Sequence, residues 1–331
     1  MIECIFTIDY EIYGGGQGSL KELVYEPAER MAAIFRKRGL RFVAFVEVAE
    51  LEVIEAKGTD PAIDLVKQQV HDFHGEGFEL GLHLHPQWCN ARYEDGRWLL
   101  DYSEYNLCTL PTERIVQIVD RVMAHFRELL GVADFTPFSF RAGNWLMQPT
   151  RAAARVLTDR GIRVDSSVFK GGLQHQHKMD YREARRNGYY WKFTDDANKP
   201  DPGGTLLELP IHTRMVPLWE IATAKRLGLQ QKGFSGGQAN NRSLHRFLDF
   251  IRFRYPLKLD FCRMTITELT RMVDRVILDD ERNPTGFKPI VAIGHTKDLV
   301  DFETVEFFLS YLESKRIPVS TFKDVYHRCT C

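Results

Sequence analysis

The sequence predicts an α/β fold, a single distorted β/α barrel with loop insertions and an active face at the C-terminal ends of its strands. Short apolar runs of strand length alternate with amphipathic segments of helix length, which indicates a parallel sheet with crossover helices. Polar residues follow at least five of those runs, as expected where parallel strand ends form one face of a barrel. No linker, repeat or composition break divides the 331 residues, so we expect one domain over 1–331.

The elements are predicted in order from apolar periodicity and from helix start and stop residues. Pro27 and Gly39, for example, mark the two ends of the first helix, and Thr265 with Glu268 forms a capping-box pattern. The predicted strands are at 5–11, 41–46, 78–86, 138–141, 162–165, 205–210 and 289–293. The predicted helices are at 27–38, 61–73, 112–130, 149–160, 242–254, 266–279 and 302–315.

Two stretches interrupt this alternation, near 170–205 and near 214–240. Both are rich in Gly and polar residues and show little periodicity, which is typical of loops. We therefore expect two long insertions on the barrel.

Two doublets of polar residues at strand ends indicate the chemistry. Asp9 and Glu11 share one face of the first strand, because side chains alternate with period two, and His83 and His85 share a face in the same way. His295 follows a third apolar run. A lone residue of either type is often structural, but the combination predicts a hydrolytic metal site. Zinc accepts imidazole and carboxylate ligands, and a catalytic zinc keeps one position open for water.

The composition argues against a nucleic acid as a partner and against a membrane span. The net charge is −1, so there is no basic excess to bind a nucleic acid. No apolar run is long enough to span a membrane. Residues 1–6 lead directly into a strand without a signal-peptide pattern, so we expect a cytoplasmic protein. The sequence leaves the oligomeric state open.

Five segments, in order along positions 6–299, resemble motifs of the polysaccharide deacetylases of the NodB-homology type, carbohydrate esterase family 4. The resemblance implies a distorted (β/α)₇ barrel and a metal-dependent hydrolase that removes an N-acetyl group from a carbohydrate. It also implies one divalent metal ion, with Zn²⁺ as the first choice. The segments are Phe6-Thr7-Ile8-Asp9-Tyr10-Glu11, Glu79-Leu80-Gly81-Leu82-His83-Leu84-His85, Ser139-Phe140-Arg141-Ala142-Gly143, Val164-Asp165-Ser166-Ser167-Val168 and Ile293-Gly294-His295-Thr296-Lys297-Asp298-Leu299.

The resemblance also implies a role for each polar residue in these segments. Amide hydrolysis needs an activated water, a polarised carbonyl and a proton for the leaving nitrogen. The implied roles are general base for Asp9, metal ligand for Glu11 and His83, a cation that holds Asp9 ionised for Arg141, general acid for His295, and a carboxylate that orients His295 for Asp165.

This chain departs from the common motifs at two positions. Tyr10 stands where the second Asp of the first motif is usual, so either Glu11 is the ligand or Asp9 is a ligand rather than the base. Gln87 stands where a second His is usual. Period two places His85 beside His83, so His85 is the predicted second imidazole ligand, and Gln87 is the alternative.

Three further residues are predicted to contact a substrate. Trp88 and Trp145 directly follow two of the motifs, where an aromatic face could stack on a sugar or pack at the rim. His212 ends a strand on the expected active face. The expected substrate is an intracellular glycan precursor. The alternatives are a barrel that hydrolyses a non-sugar amide, and a degenerate barrel that binds glycan without hydrolysing it.

Overall fold

A computed structural model describes residues 1–220 and 254–330 of the chain. Strands and helices alternate along most of it, as predicted. The strands are β1 (Ile2–Tyr10), β2 (Val43–Glu47), β3 (Glu79–Leu84), β4 (Arg92–Glu94), β5 (Arg97–Leu99), β6 (Ser139–Ala142), β7 (Val164–Asp165), β8 (Leu173–Gln174), β9 (Met179–Asp180), β10 (Trp191–Phe193), β11 (Leu206–Glu208), β12 (Thr213–Val216), β13 (Tyr255–Lys258), β14 (Lys288–His295) and β15 (Val319–Ser320). The helices are α1 (Glu26–Lys37), α2 (Val48–Lys57), α3 (Ile63–Gly75), α4 (Thr112–Leu130), α5 (Arg151–Asp159), α6 (Ile266–Arg282), α7 (Phe302–Ser314) and α8 (Phe322–Thr330).

Seven parallel strands form the main sheet in the order β11–β7–β6–β3–β2–β1–β14. Strand β10 adds to one edge in the antiparallel sense, and the short β15 pairs with β1. Parallel neighbours need crossover connections, and α1 to α5 supply them between β1, β2, β3, β6 and β7. The predicted α/β fold and its seven-stranded parallel sheet are therefore confirmed.

Single-residue bridges link the two ends of this curled sheet. Ile211 pairs with Phe169 on one side and with Val291 of β14 on the other, and Asp260 pairs with Ile293. These contacts replace a regular eighth strand. The barrel is consequently distorted at this seam, as expected for the predicted fold.

Strand β1 illustrates why the site faces the barrel interior. Phe6 packs outward against Phe35 of α1 and Phe308 of α7, with ring centroids 5.3 and 5.5 Å apart. Burying a Phe side chain contributes about 1.5–3 kcal/mol, so this face of the strand is anchored to the helices. Thr7 and Asp9 alternate with it and point inward.

The interrupting stretches are more ordered than predicted where the structure describes them. Between 170 and 205, β8 and β9 form a small hairpin and β10 joins the edge of the main sheet. The second stretch begins with β12, which pairs antiparallel with β13. Residues 221–240 of that stretch, and all but the last residue of the predicted helix at 242–254, lie outside the described residues. Within the described residues, no helix is both long and apolar enough to cross a membrane.

Candidate active site

The register of the parallel strands brings the predicted site residues to one level of the barrel. Asp9 of β1 lies opposite His295 of β14, and His83 of β3 lies opposite Arg141 of β6. All four side chains are buried. Because these strands are parallel, their polar C-terminal ends converge on a single face.

Asp9 and Arg141 form a buried ion pair in the centre of this face. The Arg141 Nη1 atom lies 2.6 Å from Asp9 Oδ1. The rest of the guanidinium donates to the Thr7 hydroxyl and to the carbonyl and hydroxyl of Ser166, so its position is fixed. Burial alone would raise the pKa of Asp9, but the Arg141 charge, with help from His83, lowers it below its ordinary value. Asp9 is therefore an ionised carboxylate held in one orientation.

Glu11, His83 and His85 bring three ligand-type atoms together beside this pair. Glu11 Oε2 lies 3.1 Å from His85 Nε2 and 3.6 Å from His83 Nε2. Two ligand atoms bound to one tetrahedral zinc lie about 3.4 Å apart, from metal–ligand distances of about 2.1 Å. Two imidazole nitrogens and one carboxylate oxygen at this spacing fit a catalytic zinc site. Asp9, Glu11 and His295 form a second, overlapping group of ligand-type atoms.

The outer nitrogens of both imidazoles have partners, as metal-binding histidines usually do. His83 Nδ1 lies 2.9 Å from the Arg141 carbonyl oxygen, to which it donates, so Nε2 is the nitrogen that faces Glu11 and would bind a metal. His85 Nδ1 lies 3.1 Å from the Gln87 amide and 3.3 Å from the Asn144 amide. The structure thus brings His85 to Glu11, and Gln87 contacts the far side of the His85 ring.

Gly143 is required for the close approach of the chain to His85. A Cβ atom at this position would lie 2.7 Å from atoms of the His85 ring and from the Leu84 carbonyl oxygen. No side chain fits in that space. The glycine in the third motif therefore has a steric role in the ligand pocket.

Lys297 forms an ion pair with the second carboxylate oxygen of Glu11. Its Nζ atom lies 2.7 Å from Glu11 Oε1 and also donates to the Ile12 carbonyl. Burial opposes ionisation, but Lys297 and then His85 lower the pKa of Glu11 well below its ordinary value. Sequence reasoning missed this lysine, although it lies only two residues after His295 in the last motif.

His295 lies between two carboxylates at the edge of the pocket. Its Nε2 atom is 3.3 Å from Asp9 Oδ2, and its Nδ1 atom is 3.9 Å from Asp298 Oδ2. Burial lowers the pKa of His295 to about 4, although Asp9 opposes this shift. The ring is consequently neutral near pH 7.

Comparisons with known proteins agree with this architecture. A polysaccharide deacetylase of Mycobacterium smegmatis superposes with a TM-score of 0.54 at 13% identity, covering 99% of this chain and 90% of that one. The fold is that of the polysaccharide deacetylases. One from Pseudomonas aeruginosa PAO1 gives 0.52 at 12% identity (99% and 90% covered), and the PuuE allantoinase gives 0.51 at 10% (99% and 89%). No protein-family profile and no curated protein sequence matches the chain.

Within this deacetylase fold, Asp165 lies away from His295, which corrects one expectation. Its carboxyl accepts a hydrogen bond from Ser167, 2.6 Å away, and neighbours the carboxyl of Glu208. None of the described ion pairs within 4.0 Å joins Asp165 to His295. The carboxylate near His295 Nδ1 is Asp298, three residues further along the chain.

Glu47 is another residue that sequence reasoning missed. It ends β2, and its Oε2 atom accepts a hydrogen bond of 2.6 Å from the backbone N–H of His85. Burial raises the pKa of Glu47 to about 8. A signal was available, because Glu47 follows the apolar run of 43–46 in the same way that Asp9 follows the first run.

Two of the three predicted substrate contacts need correction. Trp88 is only 1% exposed and packs edge-on against Trp98, so no sugar can stack on it. The His212 ring stacks on Tyr189, whose hydroxyl donates to Asp279 of the outer helix α6, and none of the described ring contacts joins it to Asp9, His83 or His295.

Trp145 lies beside His295 at the site, and its contact with a substrate stays a prediction. It is half-buried, and its ring lies edge-on to His295 with centroids 6.1 Å apart. Asn144 and Trp145 both have positive φ, 54° and 61°, which is strained for residues other than glycine. The turn after β6 therefore directs this ring towards the pocket at a cost in backbone energy.

Proposed function

We propose that this protein is a metal-dependent hydrolase that removes an N-acetyl group from a carbohydrate. The observation that carries the proposal is the set Glu11, His83 and His85, which lies beside the ionised Asp9 and the neutral His295. The polysaccharide deacetylase fold supports a sugar as the substrate. All of these groups sit where barrel enzymes carry out catalysis.

Glu11, His83 and His85 would hold one divalent ion, with zinc favoured by the two imidazole nitrogens. A bound zinc supplies a polarised carbonyl and a water of lowered pKa. The chain itself supplies the proton acceptor. Asp9 is kept ionised by Arg141, so it serves as the general base for the attacking water.

His295 is the proposed donor to the leaving nitrogen. With its neutral ring protonated at Nδ1, towards Asp298, its Nε2 atom is free to accept a proton from Asp9 across 3.3 Å. The proton that Asp9 takes from water then reaches the amine, which leaves only when protonated. This route does not need a protonated His295 at the start, in agreement with its low pKa.

A second candidate keeps the barrel and changes the amide. The similarity to an allantoinase indicates that this fold also serves an enzyme named for a substrate other than a polysaccharide. A non-sugar amide is therefore the alternative substrate. The glycan precursor and the cytoplasmic location stay predictions.

The test combines metal content with amine release from N-acetylated sugars. Protein purified without chelator should hold about one zinc per chain, and His83→Ala and His85→Ala should lose it. Asp9→Asn should keep the metal and lose activity by roughly 10²–10⁴-fold. His71→Ala, at an exposed histidine on α3, is the matched control and should change neither quantity.

Three results would count against this proposal. Full metal retention in both His83→Ala and His85→Ala would refute the ligand set. Loss of metal in Asp9→Asn would make Asp9 a ligand rather than the base. A metal-loaded protein that binds N-acetylated sugars but releases no amine would support the non-catalytic glycan-binding alternative.

A further inference from the structure

Lys258 is an additional cation beside the proposed active site. It is the last residue of β13, and it lies opposite Thr213 of β12. Its ammonium nitrogen is 3.0 Å from the centroid of the Trp145 ring and 4.8 Å from that of Phe169. The same Trp145 ring also contacts His295, to which it lies edge-on. Lys258 is thus one aromatic ring away from the proposed proton donor.

The other cations of the site each have a carboxylate of their own. These pairs are Arg141 with Asp9 at 2.6 Å, Lys297 with Glu11 at 2.7 Å, and Arg263 with Asp298 at 2.5 Å. Lys258 differs. Within residues 1–220 and 254–330, no carboxylate oxygen lies within 4.0 Å of its ammonium group.

The positive charge of the Lys258 ammonium group is only partly balanced by its surroundings. Contact with the faces of aromatic rings attracts an ammonium group and fixes its position, but it does not neutralise the charge. Burial lowers the pKa of Lys258 to about 7, and the more distant Asp260 and Asp9 carboxylates only partly oppose this. An anion beside the ammonium group would supply the missing partner.

We propose that Lys258 binds a negatively charged group, a carboxylate or a phosphate, carried by the N-acylated sugar whose amide is cleaved at Asp9 and His295. This inference rests on the proposed function and narrows its substrate class to anionic sugars. Lys258 is then a specificity residue that contacts the substrate and takes no part in bond cleavage. A neutral sugar lacks this contact and should bind more weakly.

The test compares three sugars that share an N-acetyl group: N-acetylglucosamine, N-acetylglucosamine 6-phosphate and N-acetylmuramic acid. We expect kcat/KM to be higher for at least one charged sugar by about tenfold or more, the size of one charge-assisted hydrogen bond. The phosphate and the carboxylate arms identify which anion is preferred. Lys258→Gln should abolish the preference mainly through KM, and Lys258→Arg should retain it.

Lys315→Gln is the matched control, since Lys315 also lies over an aromatic ring, that of Tyr311, but on the exposed end of α7. It should leave the ratio of charged to neutral kcat/KM unchanged. Equal kcat/KM on charged and neutral sugars in the wild-type protein, or an unchanged preference in Lys258→Gln, would overturn the inference.

A binding measurement separates this inference from the proposed function. If the wild-type protein hydrolyses none of the sugars, the deacetylase proposal fails, and calorimetry on the same three sugars then decides the role of Lys258. Affinity for a charged sugar that exceeds that for N-acetylglucosamine by about tenfold, and is lost in Lys258→Gln, would support anion binding. Equal affinities, or no binding of any sugar, would overturn it.

Discussion

Two pairs of buried carboxyl groups in this barrel differ in their degree of ionisation. Asp9 and Glu11 are 1% and 4% exposed, and Asp165 and Glu208 are both fully buried. The first pair has low pKa values because Arg141 and Lys297 contact it. Burial raises the pKa of Asp165, and it raises that of Glu208 well above the ordinary value. The neighbouring charge, rather than the depth, decides whether a buried carboxyl is ionised.

The difference separates a reactive pair from a structural one. Asp165 Oδ2 and Glu208 Oε2 have no hydrogen-bond partner in the described part of the chain, although the two carboxyls are neighbours. One proton between these oxygens would satisfy both, since two adjacent carboxylates cannot both ionise easily. Asp9 and Glu11 instead present ionised oxygens to the pocket, as a base and a metal ligand require.

Removal of the cation beside Asp9 should cost more stability than any other change to these carboxyl groups. Arg141→Met leaves a buried, unpaired carboxylate and should lower the free energy of unfolding by about 3–5 kcal/mol. Chemical denaturation measures this. The double variant Arg141→Met/Asp9→Asn should recover part of the loss, because it also removes the unpaired charge. A loss as small as that of a surface pair, about 1 kcal/mol or less, would contradict the account.

Lys297 provides a second, smaller test on Glu11. Lys297→Met removes the 2.7 Å contact to Glu11 Oε1, but His83 and His85 still face Oε2. We expect a loss of about 1–3 kcal/mol in chelator-treated protein, the cost of a buried acceptor without a partner. Lys57→Met, at the exposed end of α2, is the control and should have almost no effect. Equal losses in the two variants would mean that Lys297 does not stabilise Glu11.

The Asp165–Glu208 pair should make stability depend on pH in the opposite sense to Asp9. A carboxyl whose pKa is raised on folding stabilises the protein fully below its unfolded pKa, about 4, and loses that contribution as the pH rises through the folded pKa. Glu208→Gln replaces one acid by a neutral donor. Its stability relative to the wild-type protein should therefore improve as the pH rises from 5 to 9, by about 1.4 kcal/mol per unit of pKa shift removed.

Melting temperatures at several pH values measure this trend. Glu281→Gln, which removes an exposed carboxylate of α6, is the matched control and should follow the wild-type curve. A Glu208→Gln curve parallel to the wild-type curve would show that the pair does not share a proton.

The sequence predicts well which face of a strand a side chain occupies, but it predicts poorly which residues that side chain contacts. The two carboxyl pairs show why. Period two indicated that Asp9 shares a face with Glu11, and His83 with His85, because alternation is a local property of a strand. The neighbour of Asp165 depends instead on strand order, which places β7 beside β11 and Glu208. No local pattern specifies that order, and the predicted role of Asp165 beside His295 comes from the family resemblance alone.

The prediction for Trp88 was wrong, and the sequence did not indicate Lys258, for a related reason. Trp88 follows its strand as Trp145 does, yet the turn at Pro86–Trp88 directs its ring into the core. Lys258 reaches the site from β13, a strand outside the main sheet that apolar periodicity did not reveal. The fold and the proximity of Glu11, His83 and His85 could thus be predicted from the sequence, whereas other contacts made across strands and loops could not.

A weaker effect, on catalysis, should identify the carboxylate that orients the His295 ring. Asp298 is 3.9 Å from His295 Nδ1 and is held by Arg263, whereas Asp165 contacts Ser167 and Glu208. Asp298→Asn should lower amide hydrolysis by about two- to tenfold, because it removes the negative charge 3.9 Å from His295 Nδ1 that favours the ring protonated on that side.

The same variant should lose less on an activated acetyl ester, because an ester's leaving group needs no proton from His295. Asp165→Asn is the matched comparison, and it should leave the ratio of amide to ester rates unchanged even if stability shifts. A change in that ratio for Asp165→Asn, with none for Asp298→Asn, would restore the assignment drawn from the motifs. The charge state of the Asp165–Glu208 pair would then have to be reconsidered, because a carboxylate that orients an imidazole must be ionised.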